Sequence, residues 1–270
     1  MPKKVTIVTG PIVGLKSMAF IDETVEFGKA VGEKIVVFNL FSEILEQCGI
    51  QLQNAYDEIL HIANLLNGYE YQFKCMREKA YLSLARKIYK LGKNVSVIIR
   101  TPASIEWLGY NVILKDHRII ADAIKPDLIV TLINAEWKIM EHLKGNYGQH
   151  VLKVIAQQKE LTIPKVLEWL ASEVSVSEDW AEWATHLTGK KVKHIVFGIE
   201  TPSLKDRNKY VMDVEGLAKL VTQKNIPMFY SSYSMTVDKP GIREKINSMI
   251  WRLRTYGVVI DPASIELGGN

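Results

Sequence analysis

The feature that most constrains this chain is its alternation of short apolar runs with longer helical patterns. Val5-Thr6-Ile7-Val8-Thr9 is a compact β-branched run closed by Gly10. Such a run suits a buried strand of a parallel sheet, where both faces are covered and no polar alternation is needed. The signal returns at Lys34–Leu40, Val95–Ile99, Leu128–Ile133, His194–Ile199, Pro227–Tyr233 and Val258–Ile260. Helical periodicity fills the intervals at Lys16–Val31 and at Ser42–Leu91, with breaks near Gly49 and Gly68. It continues over Trp137–Leu187, interrupted near Gly145 and Pro164, then over Asp213–Gln223 and Ile242–Thr255. Alternation of this kind predicts an α/β fold: a three-layer arrangement with a parallel sheet of at least five strands, the first one central, and helices on both faces.

Pro, Ser, Lys, Asp and Asn cluster around Thr201–Lys209, which signals a loop and a soft boundary. The expected organisation is a core domain over residues 1–201 and a C-terminal strand–helix–strand extension over 202–270. The length of 270 residues allows one large domain or two small ones. The net charge of +4, from 34 basic and 30 acidic residues, is too small to imply nucleic acid or membrane as a partner. The apolar run near the start is too short for a signal peptide, and none approaches the roughly 20 residues of a membrane span. The cytoplasm is the expected compartment. Cys48 and Cys75 have no zinc-like spacing, and each reads as a small buried apolar residue.

Ligands on open parallel sheets gather at the carboxyl ends of the strands. At the first of these ends stands Gly10-Pro11-Ile12-Val13-Gly14-Leu15-Lys16-Ser17. A Walker A loop reads G-x-x-x-x-G-K-[ST], so Gly10, Lys16 and Ser17 fall at the right spacing. Leu15 replaces the glycine before the lysine, and Gly14 sits one position early. In such a loop backbone N–H groups at a helix N-terminus cradle phosphate, the lysine reaches the β- and γ-phosphates, and the hydroxyl holds Mg²⁺. A leucine crowds the cradle, and Pro11 removes one donor. The plainer alternative is a strand–turn–helix whose glycine only makes the turn.

The first two-thirds of the chain, about Lys3 to Thr201, resembles the archaeal type of adenylate kinase and its P-loop nucleotide-kinase relatives. The resemblance rests on Ile7-Val8-Thr9-Gly10 with Lys16-Ser17, on Phe38-Asn39, and on the helix from Met76-Arg77-Glu78-Lys79 to Ile88. It extends to Val97-Ile98-Ile99 with Thr101, Gly109-Tyr110, the run Ile124-Lys125-Pro126-Asp127 through Asn134-Ala135, Leu167-Glu168-Trp169 to Glu173, and Trp180 to Ala184. It implies a P-loop kinase-type sheet, ATP or another nucleotide with Mg²⁺ as ligands, Gly10, Gly14, Lys16 and Ser17 as the binding set, Ser17 on the metal, and Lys16 and Thr101 as the catalytic candidates. The departures cluster at the chemistry. Relatives end the second strand on an acidic residue, whereas this chain runs Asn39-Leu40-Phe41 with no carboxylate before Glu43. Relatives carry an Asp-Thr-His type triplet after the third strand, whereas this chain has Arg100-Thr101-Pro102. Relatives place arginines in the lid, whereas Lys138 to Gln149 and its neighbour His150 offer only Lys138, Lys144, His142 and His150.

Met228 to Thr236, the following helix and Val258-Val259-Ile260-Asp261-Pro262 resemble, over about 40 residues, the opening of nucleoside 2-deoxyribosyltransferase-like domains. We read this unit as an extension of the main sheet or a reduced lobe packed on it, and Glu266 as a surface residue. Asp116 reads as an N-cap before His117-Arg118, with a substrate-facing role as the alternative. Lys205-Asp206-Arg207 reads as a solvated loop that could instead meet phosphate. Trp169, Trp180 and Trp183 suit a helical core or a subunit interface, which leaves a homo-oligomer open. The expected function is therefore nucleotide binding on a kinase-like core with reduced or lost phosphoryl transfer. The alternatives are an active ATP- and Mg²⁺-dependent nucleoside or nucleotide kinase, and a nucleoside-processing protein acting through the C-terminal unit.

Overall fold

The computed structural model describes residues 2–11, 17–50, 61–62, 64–66, 70–107, 110–134, 136–144, 161–199, 207–230 and 242–260. In chain order the elements are β1 (Lys4–Thr9), α1 (Ser17–Ala30), β2 (Lys34–Asn39), α2 (Leu40–Gln47), α3 (Glu70–Tyr89), β3 (Val95–Arg100), β4 (Ser104–Trp107) and β5 (Tyr110–Ile113). There follow α4 (His117–Ile119), which runs into a π turn over Ile120–Ile124, then β6 (Leu128–Ile133), α5 (Glu136–Lys144), α6 (Ile163–Thr188) and β7 (Lys193–Gly198). The last are α7 (Arg207–Thr222), β8 (Met228–Tyr230), α8 (Ile242–Tyr256) and β9 (Val258–Ile260).

Five strands form one parallel sheet in the order β2-β3-β1-β6-β7, so the first strand is central as expected. Successive side chains of a strand point to opposite faces, and each face of this sheet has its own cover. Val5 and Ile7 of β1, Val97 and Ile99 of β3 and Ile129 of β6 pack with Ile44 of α2, Tyr81 and Leu84 of α3 and Trp180 of α6. Val8, Ile98, Val130 and Leu132 pack on the other face with Phe20 and Ile21 of α1 and Leu217 and Val221 of α7. The molecule is thus α/β, with helices on both faces of a parallel sheet. Among the described residues no helix is long and apolar enough to cross a membrane.

Lys4 pins α7 to the sheet. Its buried ammonium donates to the backbone carbonyls of Leu220 and, at 2.8 Å, Gln223, at the end of that helix where the dipole favours a cation. Burial lowers its pKa to about 8. Beyond α7, β8 and β9 pair parallel as a separate two-stranded sheet rather than extending the main one. Val258 of β9 joins the core beneath α7, so of the two arrangements expected for this unit it takes the packed lobe.

The break expected near Pro164 is present: residues 161–162 are non-helical, α6 begins at Ile163, and Pro164 stands in its first turn, where its missing N–H costs nothing. Three expectations are corrected. The stretch Ser104–Ile113 is an antiparallel hairpin, β4 with β5, that the sequence reading missed. Cys48 is exposed and Cys75 half-buried, so neither is a buried core thiol. Trp169 and Trp180 are core residues, but Trp183 is largely exposed and packs on the His117 ring at 4.7 Å.

Gly257 joins α8 to β9 at a place with no room for a side chain, because a Cβ there would lie 2.2 Å from the Pro227 carbonyl oxygen. The nearest clashing atoms belong to the Pro227 backbone, which cannot swing aside, so Gly257→Ala should displace β9 from β8 and lower stability by about 1–3 kcal/mol in urea denaturation.

Candidate functional site

The strand order opens a crevice at the carboxyl edge. From β1 the chain leads through α1 to β2 on one side, and from β6 it leads to β7 on the other. The loops leaving these adjacent strands therefore diverge, which is where ligands bind in open α/β sheets. Gly10 lies at this point with φ 146°, a conformation L side chains rarely adopt, so glycine is required there. Ser17 is the first residue of α1. Gly14, Leu15 and Lys16 lie outside the described residues, as do the side chain of Ser17 and those of Lys138, His142, Lys144 and His150 in the expected lid. Lys205, Asp206, Asp261 and Glu266 lie outside them too, and of Arg207 only the backbone is described.

Thr101 follows β3 on the strand next to β1, and its N–H donates to the Val8 carbonyl at 3.1 Å. Gly10 and Thr101 are thus brought to neighbouring strand ends. Thr101 is buried, and its hydroxyl donates to the Pro102 carbonyl at 3.1 Å, so that side chain is turned inward. Asn39, the last residue of β2, caps α2: its Oδ1 accepts the Phe41 N–H at 3.0 Å. Glu43, the first carboxylate after β2, is buried and accepts from Lys87 of α3 at 2.7 Å. Both residues thus help to hold α2.

The side chains that do converge on the carboxyl edge come from α6. Glu173 is fully buried there. Its Oε2 accepts the Ala103 N–H at 2.9 Å, and its Oε1 accepts the Ser104 N–H at 2.9 Å and the Ser104 hydroxyl at 3.2 Å. The Gly10 N–H faces the same carboxylate and favours its charge. Burial outweighs these donors and pushes the carboxyl pKa up to about 7. One turn further along α6, Ser177 Oγ bonds Thr9 Oγ1 at 2.7 Å, Thr9 Oγ1 bonds Thr131 Oγ1 at 2.8 Å, and Thr131 Oγ1 bonds His194 Nε2 at 2.8 Å. This polar row crosses β1, β6 and β7 beneath the helix. Burial lowers the His194 pKa. At its outer end His194 lines a cleft of about 550 Å³ with Glu178, His186 and Lys191.

A second buried polar cluster underlies the Thr101 segment. Arg77 of α3 donates from Nε at 3.1 Å and Nη2 at 3.0 Å to Asp116 Oδ1, and its guanidinium lies 4.7 Å from the centre of the Phe73 ring. Asp116 therefore makes no side-chain cap for α4, contrary to the reading from sequence; its carboxylate turns inward to the cation instead. Burial raises its pKa, and the Arg77 charge pulls the other way. The Tyr81 phenol sits beside Asp116 and Thr101, and burial raises its pKa well above the ordinary value.

Glu173 and Arg77 entered the sequence reading only within the stretches that carry the resemblance and were given no role of their own, yet both carry a signal. Val166, Trp169, Glu173, Val176, Ser177, Trp180 and Ala184 are the buried stripe of α6, and Phe73, Arg77, Ala80, Tyr81, Leu84 and Ile88 that of α3. A charged residue on an apolar stripe has to be partnered inside the protein. Among the described residues no group of three or more His, Cys, Asp and Glu is placed to hold a metal ion.

The class these observations define is an α/β protein with a five-stranded parallel sheet, a central first strand and a polar, glycine-turned carboxyl edge. No family model matches the chain, and no curated protein matches it.

Two measurements test the electrostatics. Arg77→Ala leaves the Asp116 carboxylate buried and uncompensated and should cost about 3–5 kcal/mol in urea denaturation, whereas Arg77→Met with Asp116→Leu should cost far less. For Glu173 the folded-state pKa of about 7 lies above the ordinary value of 4.5. Below pH 4.5 both folded and unfolded chains hold the proton. Between 4.5 and about 7 the folded chain binds more proton than the unfolded one, so stability falls as pH rises, and above about 7 the loss is complete. The whole loss is about 3 kcal/mol. Denaturation midpoints across pH 4–8 should show this fall in the wild type and a flatter profile in Glu173→Gln.

Proposed function

We propose that the chain is a nucleotide-binding protein of P-loop kinase type, with Gly10, Gly14, Lys16 and Ser17 around the phosphates and with phosphoryl transfer reduced or lost. The observation that carries this reading is Gly10. It ends the central strand at the β1/β6 crevice in a conformation only glycine adopts readily, and α1 begins seven positions later at Ser17. In sequence, the lysine and hydroxyl of a Walker-like loop stand directly before and at the start of this 14-residue helix, whose N-terminal dipole favours phosphate. A bound Mg²⁺ would be held by Ser17 and the phosphates and would neutralise charge on them.

Reduced transfer follows from the residues around the loop. Phosphoryl transfer needs positioned groups that organise the metal and offset charge on the moving phosphoryl group. Asn39 is occupied as a helix cap, Glu43 is paired with Lys87, and the Thr101 hydroxyl is turned to Pro102.

The test is calorimetric titration with ATP and ADP, paired with a coupled kinase assay. Wild type should bind both nucleotides, Lys16→Ala should bind about tenfold or more weakly, and Leu15→Gly should bind more tightly by relieving the crowded cradle. Adenylate kinase turnover should stay very low in all three. Absence of nucleotide binding by the wild type would refute the proposal, and robust turnover would refute its second half.

A further inference from the structure

Glu173 stands where three segments meet: helix α6, which carries it, the start of the loop after β1, and the segment after β3. The backbone ladder between β1 and β3 ends with the Thr101 N–H donating to Val8. Past that point the link between the two strand ends is the carboxylate, which takes the N–H groups of Ala103 and Ser104 and faces that of Gly10. We propose that Glu173 is the positioning residue of the candidate nucleotide site, a clamp that prolongs the β1–β3 pairing beyond the sheet and fixes the first residue of the phosphate loop against Thr101–Ser104. Its effect on ligand binding rests on the nucleotide reading; its geometry does not.

A carboxylate suits this task and an amide does not. Each oxygen accepts a separate backbone donor at 2.9 Å, so both must be acceptors. In glutamine one of the two becomes an NH₂ group aimed at a backbone N–H, and a buried donor is left unsatisfied. Protonation weakens the clamp reversibly, because the charge is lost and the oxygen that carries the proton becomes a poorer acceptor for its N–H. With burial holding the carboxyl pKa near 7, the clamp is fully formed only on the alkaline side of neutrality. The titratable groups described on the elements packed around it include Arg77 and Tyr81 on α3, Glu106 on β4, Asp116 before α4, Glu136 on α5 and half-buried His194 on β7. Arg77 and Asp116 are paired, Tyr81 lies beside that pair, and His194 is bonded to Thr131.

The experiment is amide hydrogen exchange, read residue by residue by NMR on the full chain, with ADP titration in parallel on wild type, Glu173→Gln and Val176→Ala. Val176 is a buried packing residue on the same helix and controls for general loosening of α6. Wild-type protection at Gly10, Ala103 and Ser104, corrected for intrinsic exchange, should rise together as pH passes about 7. Glu173→Gln should lose that step, exchange about tenfold faster at Ala103 and Ser104, and bind ADP about tenfold more weakly. Val176→Ala should keep the pH step. Unchanged protection in Glu173→Gln, or the same loss of the step in Val176→Ala, would overturn the clamp. Loss of the step in Glu173→Gln while the wild type binds no ADP would uphold the clamp and refute the nucleotide reading.

Discussion

A parallel sheet has to be covered on both faces, and the rest of this structure follows from how that is done. β1 lies in the middle with β3 and β6 bonded to its two edges. Its odd-numbered residues Val5 and Ile7 belong to the core under α2, α3 and α6, and Val8 belongs to the core under α1 and α7. Burying apolar area at roughly 25 cal/mol per Å² makes these two layers the main source of stability. The strands all point one way, so every connection leaves from the same edge. The crevice between β1 and β6 is then a consequence of coverage: one loop must turn toward the α1 side and the other toward β7.

Against that apolar demand, the charges set into the helix stripes stand out. An ionised side chain buried without a partner costs several kcal/mol, and even a good partner does little more than offset the loss. The chain nevertheless puts Arg77 into the stripe of α3 and Glu173 into that of α6, and satisfies them by different means. Arg77 meets an opposite charge, Asp116. Glu173 meets backbone N–H groups and a hydroxyl. The two solutions have different consequences. An ion pair is self-contained and holds α3 against the segment before α4. A carboxylate bonded to backbone donors fixes main-chain geometry, and here the main chain it fixes lies at the mouth of the crevice.

How much of this was legible depended on whether a residue's partner is close in sequence. The strands of the main sheet were readable because β-branched runs such as Val5–Thr9 and Leu128–Ile133 carry their own signal, and the centrality of β1 was expected from their alternation with helices and from the Walker-like spacing that follows β1. The hairpin at Ser104–Ile113 was not readable. All four residues of β4 are buried, so Ile105 and Trp107 alternate with Ser104 and Glu106 on no exposed polar face, and each strand is only four residues long. Asn39 looked like a lost acid, and the sequence alone did not disclose that the next residue starts a helix that needs a cap. Asp116 shows the opposite error: its place before a helix suggested a cap, but a cation 39 positions away in the chain captured its carboxylate. Glu173 was overlooked because its partners are backbone atoms 69 and 70 positions away, which no side-chain pattern marks.

The placement of negative charge also bears on which chemistry the carboxyl edge suits. A phosphoryl-transfer site gathers positive charge and metal-binding acids around the phosphates, so that charge is neutralised as the bond moves. Here the acid that approaches the start of the loop after β1 is turned to backbone N–H groups, and its burial alone makes ionisation costly near neutrality. An anion placed beside a second anion raises the energy of both unless donors separate them. On the nucleotide-binding proposal, the Ala103 and Ser104 N–H groups and the Ser104 hydroxyl are those donors, and they leave the Glu173 charge largely internal to the protein. A carboxylate so fully engaged cannot also ligate a metal or accept a proton from a substrate. What it can do is fix the Gly10 end of that loop against Ala103 and Ser104, and on the nucleotide-binding proposal that positioning serves to hold a phosphate rather than to react with it.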